Sequence, residues 1–364
     1  MTDDQPDVDQ EYEELRPEMT RGRKIAVVAL GAFIVVVLLA SLVSFWAYRQ
    51  LFPTGKVGTE IVLDIPTGSS TSSIADLLEK KNVINNAFLF KLYIKVKGGG
   101  PFQAGTYRLP LHDGAADVLN RLKAGPLPPP TRRFTVPPGL NLRQIPAQII
   151  SSIPTFSVDK LNAVLAGGQV RSQFQPAGKS IEGFLFPDTY EIGEGADETA
   201  AIQAMVTQFD KVATELGLAD AQNLVGHDPY EVLIVASLVE EEAKVDADRP
   251  KIAQVIYNRL KQGMPIGIDA TLCYLHDERP CVLHQSDLTR ADPYNSRKNV
   301  GLPPTPIASV SRAALEAALH PDSGDEIYYV LDPNLPAGQH FFTASASEFE
   351  AAKARCKAAG LGCD

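Results

Sequence analysis

Residues 228–244, D-P-Y-E-V-L-I-V-A-S-L-V-E-E-E-A-K, read as one apolar helix that runs into three consecutive carboxylates, Glu240, Glu241 and Glu242. Asp228 is a good N-cap, and Pro229 suits the first helical position, where a missing N–H costs nothing. Glu231, three residues after the cap, can complete a capping box. Between Val232 and Val239 only Ser237 is polar, so no face suits water and the segment is expected to be buried. A buried helix that ends in a carboxylate is one way to make a glutamic acid of raised pKa. The other reading is a solvated acidic helix end, and the triplet alone does not choose between them.

Working outward, the chain of 364 residues has room for a membrane anchor and about two domains. A net charge of −10, with no basic aromatic-rich stretch, argues against a nucleic-acid partner. Much of the acidity sits in residues 1–20, which have almost no large apolar side chains and are expected to be disordered. Residues 25–47 form an uncharged Val/Leu/Ala/Ile run, long enough at about 1.5 Å per residue to span a hydrocarbon core of roughly 30 Å. Arg21, Arg23 and Lys24 precede it, and Arg49 and Lys56 are sparser behind it. The positive-inside rule then leaves the N-terminus in the cytoplasm and carries the rest outside, as a single-pass protein of the cytoplasmic membrane. A cleaved signal peptide is the competing reading, with a shorter apolar core and a small-residue cleavage site that this stretch lacks.

Behind the anchor, residues 60–65 and 104–109 alternate like strands, and 72–81, 86–96 and 115–124 read as helices. The proline run at 126–130 is a stiff connector. A strand at 134–136 follows, then helices at 142–151, 158–165, 197–216 and 250–261, and strands at 327–331 and 339–343, with loop in the rest of the C-terminal half. The expected fold class is α+β: an acidic tail at 1–24, a transmembrane helix at 25–48, a small α+β module at 55–125, a linker at 126–133 and a second α+β domain at 134–364.

The four cysteines, Cys273, Cys281, Cys356 and Cys363, lie late in the chain. In an exported domain they suit two disulfides, and sequence leaves the three pairings open. Cys273 and His276 followed by Cys281 and His284 also have a four-ligand zinc spacing, which stays the rival reading.

Several stretches are richer in carboxylates, amides and aromatics than a scaffold requires: E-G-F-L-F-P-D-T-Y at 182–190, Asn258 and Arg259, Asp269 to Thr271 with Tyr274, Tyr294 and Asn295, and G-L-P-P at 301–304. Together they suit a sugar-binding groove; singly, each is as well explained by a core tyrosine or a helix cap. No G-x-S-x-G serine motif, phosphate-binding glycine loop or H-E-x-x-H helix is present.

Four blocks carry a resemblance: E-G-F-L-F-P-D-T-Y at 182–190, A-S-L-V-E-E-E at 236–242, N-R-L-K-Q-G-M at 258–264 and G-L-P-P-T-P-I at 301–307. In this order they resemble the MltG/YceG-like family of membrane-anchored endolytic murein transglycosylases, from the anchor to about residue 340. The resemblance implies Glu240 as the catalytic acid and Glu242 as a second carboxylate. It implies that Asn258, Arg259, Asp269, Thr271, Tyr294 and Asn295 line the substrate cleft. It further implies a LysM-like module at 58–125, peptidoglycan strands as substrate, penicillin-binding synthases as partners, and no cofactor or metal. The chain departs from the family at Gly267 (usually Gln), Ala270 (usually Pro), Ser296-Arg297 (usually Thr-Tyr) and Phe349 (usually His). In the implied reaction one glutamic acid protonates the bridging oxygen, and its carboxylate then takes the proton of the muramic 6-hydroxyl as a 1,6-anhydro ring closes. A hydrolytic muramidase and a non-catalytic tethered glycan-binding scaffold are the alternatives.

Overall fold

The computed structural model describes residues 21–55, 58–276 and 281–363. The acidic tail at 1–20 and Lys56 lie outside them. The chain divides into two compact units, Met1–Pro129 and Pro130–Asp364.

The first unit opens with α1 (Arg21–Leu51), which is long and apolar enough to cross a membrane and buries none of its residues. Strand β1 (Glu60–Ile65) pairs antiparallel with β2 (Gly105–Pro110), with Leu63 opposite Tyr107. Between and after them come α2 (Thr71–Lys80), α3 (Ala87–Lys97) and α4 (Ala115–Ala124). Asn86 caps α3 by accepting from the Leu89 amide, and Ser70 caps α2 by accepting from the Ser73 amide. Alternation on the strands and helical spacing on α2–α4 bring Leu63, Ile65, Leu78, Phe90, Leu109 and Leu122 into one core. Burying such a set, at about 25 cal/mol per Å2 of apolar surface, is what holds so short a sheet together.

In the second unit β3 (Thr131–Thr135) begins before the expected start at 134 and pairs antiparallel with β4 (Thr189–Gly193). That partner strand was hidden in the turn-like end of E-G-F-L-F-P-D-T-Y. Helices α5 (Ile145–Ser152), α6 (Val158–Gly167), α7 (Glu198–Glu215) and α8 (Ala221–Val225) follow in order. Pro146 sits in the first turn of α5, where it is tolerated rather than disruptive. Then come α9 (Pro229–Glu242), α10 (Arg249–Lys261), and the short α11 (Ala270–Cys273) and α12 (Gln285–Thr289). The expectation of loop in the rest of the C-terminal half, outside the strands at 327–331 and 339–343, is corrected by these, by α13 (Arg312–Leu319) and by α14 (Ala346–Ala358). β5 (Tyr328–Leu331) and β6 (His340–Thr343) form an antiparallel hairpin between α13 and α14.

Helix α9 is the axis of this unit. Asp228 accepts from the amides of Tyr230 (2.8 Å) and Glu231 (2.9 Å), while Glu231 accepts from the Asp228 amide (3.3 Å), completing the capping box. Every residue from Val232 to Val239 is buried, with α10 and α13 packed alongside. Ser237 is satisfied inside: its hydroxyl donates to the Ile234 carbonyl (2.7 Å) and accepts the Ile307 amide (3.1 Å). Gly183 shows how tightly the blocks close around α9. At φ +85° it is backbone that glycine favours, and a Cβ there would stand 2.6 Å from Pro306 and 3.3 Å from Leu233.

Candidate active site

The three glutamates at the end of α9 diverge by about 100° per residue, and their surroundings differ accordingly. Glu240 points toward α10 and α13. Its Oε1 is 3.4 Å from the Arg249 guanidinium, and its Oε2 accepts both the amide (2.9 Å) and the hydroxyl of Ser311. Ser311 is also the N-cap of α13, accepting from the Ala314 amide. Both oxygens of Glu240 are thus engaged in holding the start of one helix against the start of another. What surface it keeps faces a shallow recess with Pro138, Gly139 and Gln144.

Glu242 faces the opposite side, into a cleft of about 630 Å3 between the end of α9, the 259–269 segment, the β5–β6 hairpin and α14. Its Oε2 accepts from the Tyr329 hydroxyl at 3.0 Å. Its Oε1 has no hydrogen-bond partner among the described residues and is not a sealed atom. Burial of the carboxylate raises its pKa above the ordinary glutamate range; the Tyr329 hydrogen bond opposes the rise and the charge of Asp269 adds to it. Tyr329, partly buried and next to that carboxylate, has its own pKa raised by desolvation and stays a hydroxyl donor. Glu241 borders both the cleft and the recess.

Of the expected substrate contacts, Glu242, Arg259 and Asp269 line this cleft. Arg259 donates to the carbonyls of Ile327 (2.6 Å) and Ile266, tying β5 to the cleft floor, and its guanidinium lies 5.5 Å from the Tyr328 ring centre. Asp269 takes a two-pronged ion pair from Arg297, with Nη2 at 2.7 Å from Oδ2. The other four do not line it. Asn258 donates to the carbonyls of Gly324 (3.1 Å) and Glu326 (2.9 Å). Thr271 is fully buried against Ile268 and Ser296. Asn295, also buried, pins the carbonyls of Leu288 and Arg290. Tyr294 meets the Thr305 hydroxyl (2.8 Å) and the Tyr274 ring.

Sequence reasoning missed Tyr329 and His340, which the hairpin register places on one face: Tyr329 is opposite Phe342, and Leu331 is opposite His340. The available signal was period-2 alternation in two adjacent strand-like segments, which sets aromatic and imidazole groups on a common side. Three of the four family departures also border the cleft: Gly267, Arg297 as partner of Asp269, and Phe349, which stacks on Tyr328 at 4.9 Å.

Glu182, from the most distinctive block, is buried elsewhere. It accepts the Leu142 amide on both oxygens (3.2 Å each) and the Tyr274 hydroxyl (2.9 Å). Burial pushes its pKa up to about 7 against these hydrogen bonds. The cysteines resolve into two local disulfides, Cys273–Cys281 and Cys356–Cys363. With both sulfurs bonded to each other, Cys273 and Cys281 have no thiolates for the zinc alternative. The second disulfide closes the end of α14, and Cys363 forms part of the cleft rim.

Residues 63–355 match the YceG-like family. The chain is 35% identical over 309 residues to the endolytic murein transglycosylase of Bacillus subtilis (strain 168), covering 81% of this chain and 84% of that one. The enzyme of the same name from Streptococcus pneumoniae (strain D39) is 29% identical over 336 residues; the match takes in 83% of this chain but 60% of the longer relative. The crystal structure of a yceG-like protein from Listeria monocytogenes superposes with a TM-score of 0.54 at 28% identity, over 81% of this chain and 99% of that one. Matched across both its sequence and its fold, the chain belongs to the YceG-like family.

Proposed function

We propose that the chain is an endolytic murein transglycosylase in which Glu242, in place of Glu240, is the catalytic acid. The observation that carries the reading is the contrast between the two carboxylates. Glu240 has both oxygens committed to Arg249 and Ser311, whereas Glu242 has one oxygen fixed by Tyr329 and the other open to the large cleft. A general acid must be protonated at the working pH and within reach of the bridging oxygen, and burial of Glu242 favours the protonated form. Proton delivery to the bridging oxygen breaks the bond to the muramic C1. Attack by the 6-hydroxyl of the same sugar closes the 1,6-anhydro ring without water as nucleophile, unlike the two-carboxylate hydrolase scheme. Asp269, Arg297 and Arg259 frame the sugar site; Asn258, Thr271 and Asn295 brace the segments that carry them and the start of β5.

The experiment compares Glu242→Gln and Glu240→Gln on purified glycan strands, with products read by mass spectrometry. Glu242→Gln is expected to lose 100-fold or more of the rate, on the order of a general acid's contribution. Glu240→Gln is expected to keep cleaving while losing stability. Loss confined to Glu240→Gln would return the acid role to Glu240, and reducing ends in place of anhydro ends would make the enzyme a muramidase. On the same reading α1 anchors the protein with its second unit outside the membrane, and the β-α-α-β-α module at 58–125 is a LysM-like glycan holder.

A further inference from the structure

We propose that His340 is the base that removes the proton from the attacking 6-hydroxyl, with Nδ1 held by Asp248 and Nε2 open to the cleft. The inference rests on the transglycosylase reading above and departs from the scheme in which one glutamate serves as both acid and base.

His340 is buried at the start of β6. Asp248 Oδ2 lies 2.8 Å from its Nδ1 and also accepts its backbone amide at 2.8 Å, so ring and strand are fixed by one carboxylate. An acceptor that close places the proton on Nδ1 and leaves Nε2 with its lone pair. Nε2 has no partner among the described residues and is not sealed, and the residue lines the same cleft as Glu242. Tyr329 separates the two groups. Its hydroxyl is on Glu242, and its ring meets His340 edge-on at 5.4 Å between centres. Acid and imidazole therefore both contact one phenol and line one cleft. This suits two proton transfers at different oxygens of one sugar better than it suits a single free oxygen of Glu242 serving both.

The charged and titratable groups that face the imidazole come from each neighbouring element: Asp248 before α10, Glu242 and Lys244 at the end of α9, Tyr329 on β5 and Lys353 on α14. Burial lowers the His340 pKa, and Asp248 opposes that effect, while Lys244 reinforces it. The ring is thus neutral and ready to accept at neutral pH, and Asp248 stabilises the imidazolium when it forms, as the buried aspartate of a serine-protease triad does. The step balances. Glu242 gives its proton to the bridging oxygen as the C1–O bond breaks, O6 bonds to C1, and the O6 proton passes to Nε2. The imidazolium then returns a proton, through solvent, to the Glu242 carboxylate.

His340→Gln is expected to lower kcat about 30-fold or more with KM within about threefold, and to remove the acidic limb of the kcat–pH profile. Asp248→Asn should do the same more mildly, and added imidazole should restore part of the rate of His340→Ala. The intact protein gives a test that does not depend on variants folding: 15N NMR of its histidines should show His340 at pH 7 with Nδ1 protonated and Nε2 bare. A proton on Nε2, or a His340→Gln enzyme that keeps both pH limbs and kcat within threefold, overturns the proposal and leaves Glu242 as acid and base alike. A parent enzyme that yields no anhydro ends overturns the transglycosylase reading instead.

Discussion

Glu182, fully buried, and Glu242, partly buried, both have raised pKa values, and their partners separate their roles. Glu182 is ringed by fixed donors, the Leu142 amide and the Tyr274 hydroxyl, whereas Glu242 keeps an oxygen turned to open space. The first arrangement has a consequence for stability. In the fold Glu182 has its pKa raised from 4.5 to about 7, so folding binds its proton more tightly. That contribution is fully present below the unfolded value and is lost as pH rises through 7; at full loss it is worth roughly 3 kcal/mol. Urea unfolding of the parent and of Glu182→Gln between pH 5 and pH 8 is expected to show a steeper decline in the parent, because glutamine retains the neutral hydrogen bonds at every pH. Equal slopes would mean that Glu182 titrates normally. At Glu240 the expectation is different: Glu240→Gln removes the charge facing the largely buried Arg249 and should cost about 3 kcal/mol, read as a lowered urea midpoint.

At the scale of elements, the capping box and the buried run made α9 legible from residues 228–242 alone. Which glutamate of the triplet meets the cleft was not legible. That depends on a hairpin and a helix far along the chain, Tyr329 being 87 residues beyond Glu242, and local periodicity has no view of such contacts. Helix α14 was missed for a related reason: only Ala352 and Cys356 are buried on it, so it carries almost no apolar stripe to read. Helix α13 did carry a signal, a serine cap before an alanine- and leucine-rich run, obscured by the prolines ahead of it. Two predictions belong here. Gly183→Ala forces a side chain into Pro306 at a positive φ and should destabilise the second unit by about 2 kcal/mol or more, seen as a lower thermal midpoint. Replacing Cys356 and Cys363 together by Ala opens a short loop and should cost roughly 2 kcal/mol. Because α14 and Cys363 border the cleft, the same double variant should raise KM more than it lowers kcat; unchanged KM would show that this rim does not touch the glycan.

For the whole molecule, the division at Pro129 and Pro130 separates a small module behind an apolar helix from a unit that contains every residue assigned to the reaction. The second unit has its own core, built from β3, β4 and the helices around α9, and depends for none of its buried cluster on residues before 134. A fragment of residues 130–364 is therefore expected to fold by itself, with a single cooperative thermal transition, and to cleave short soluble glycan strands at a rate within a few-fold of the full chain. On insoluble peptidoglycan the fragment should fall further behind, because the first unit, proposed above to hold glycan and to anchor the chain, is gone. Removing residues 1–51 alone should release the protein from the membrane fraction and leave both units folded. A 130–364 fragment that matches the full chain on insoluble peptidoglycan would deny the module at 58–125 its glycan-holding role. A fragment that cannot fold would mean that the second unit depends on the first, in spite of its separate core.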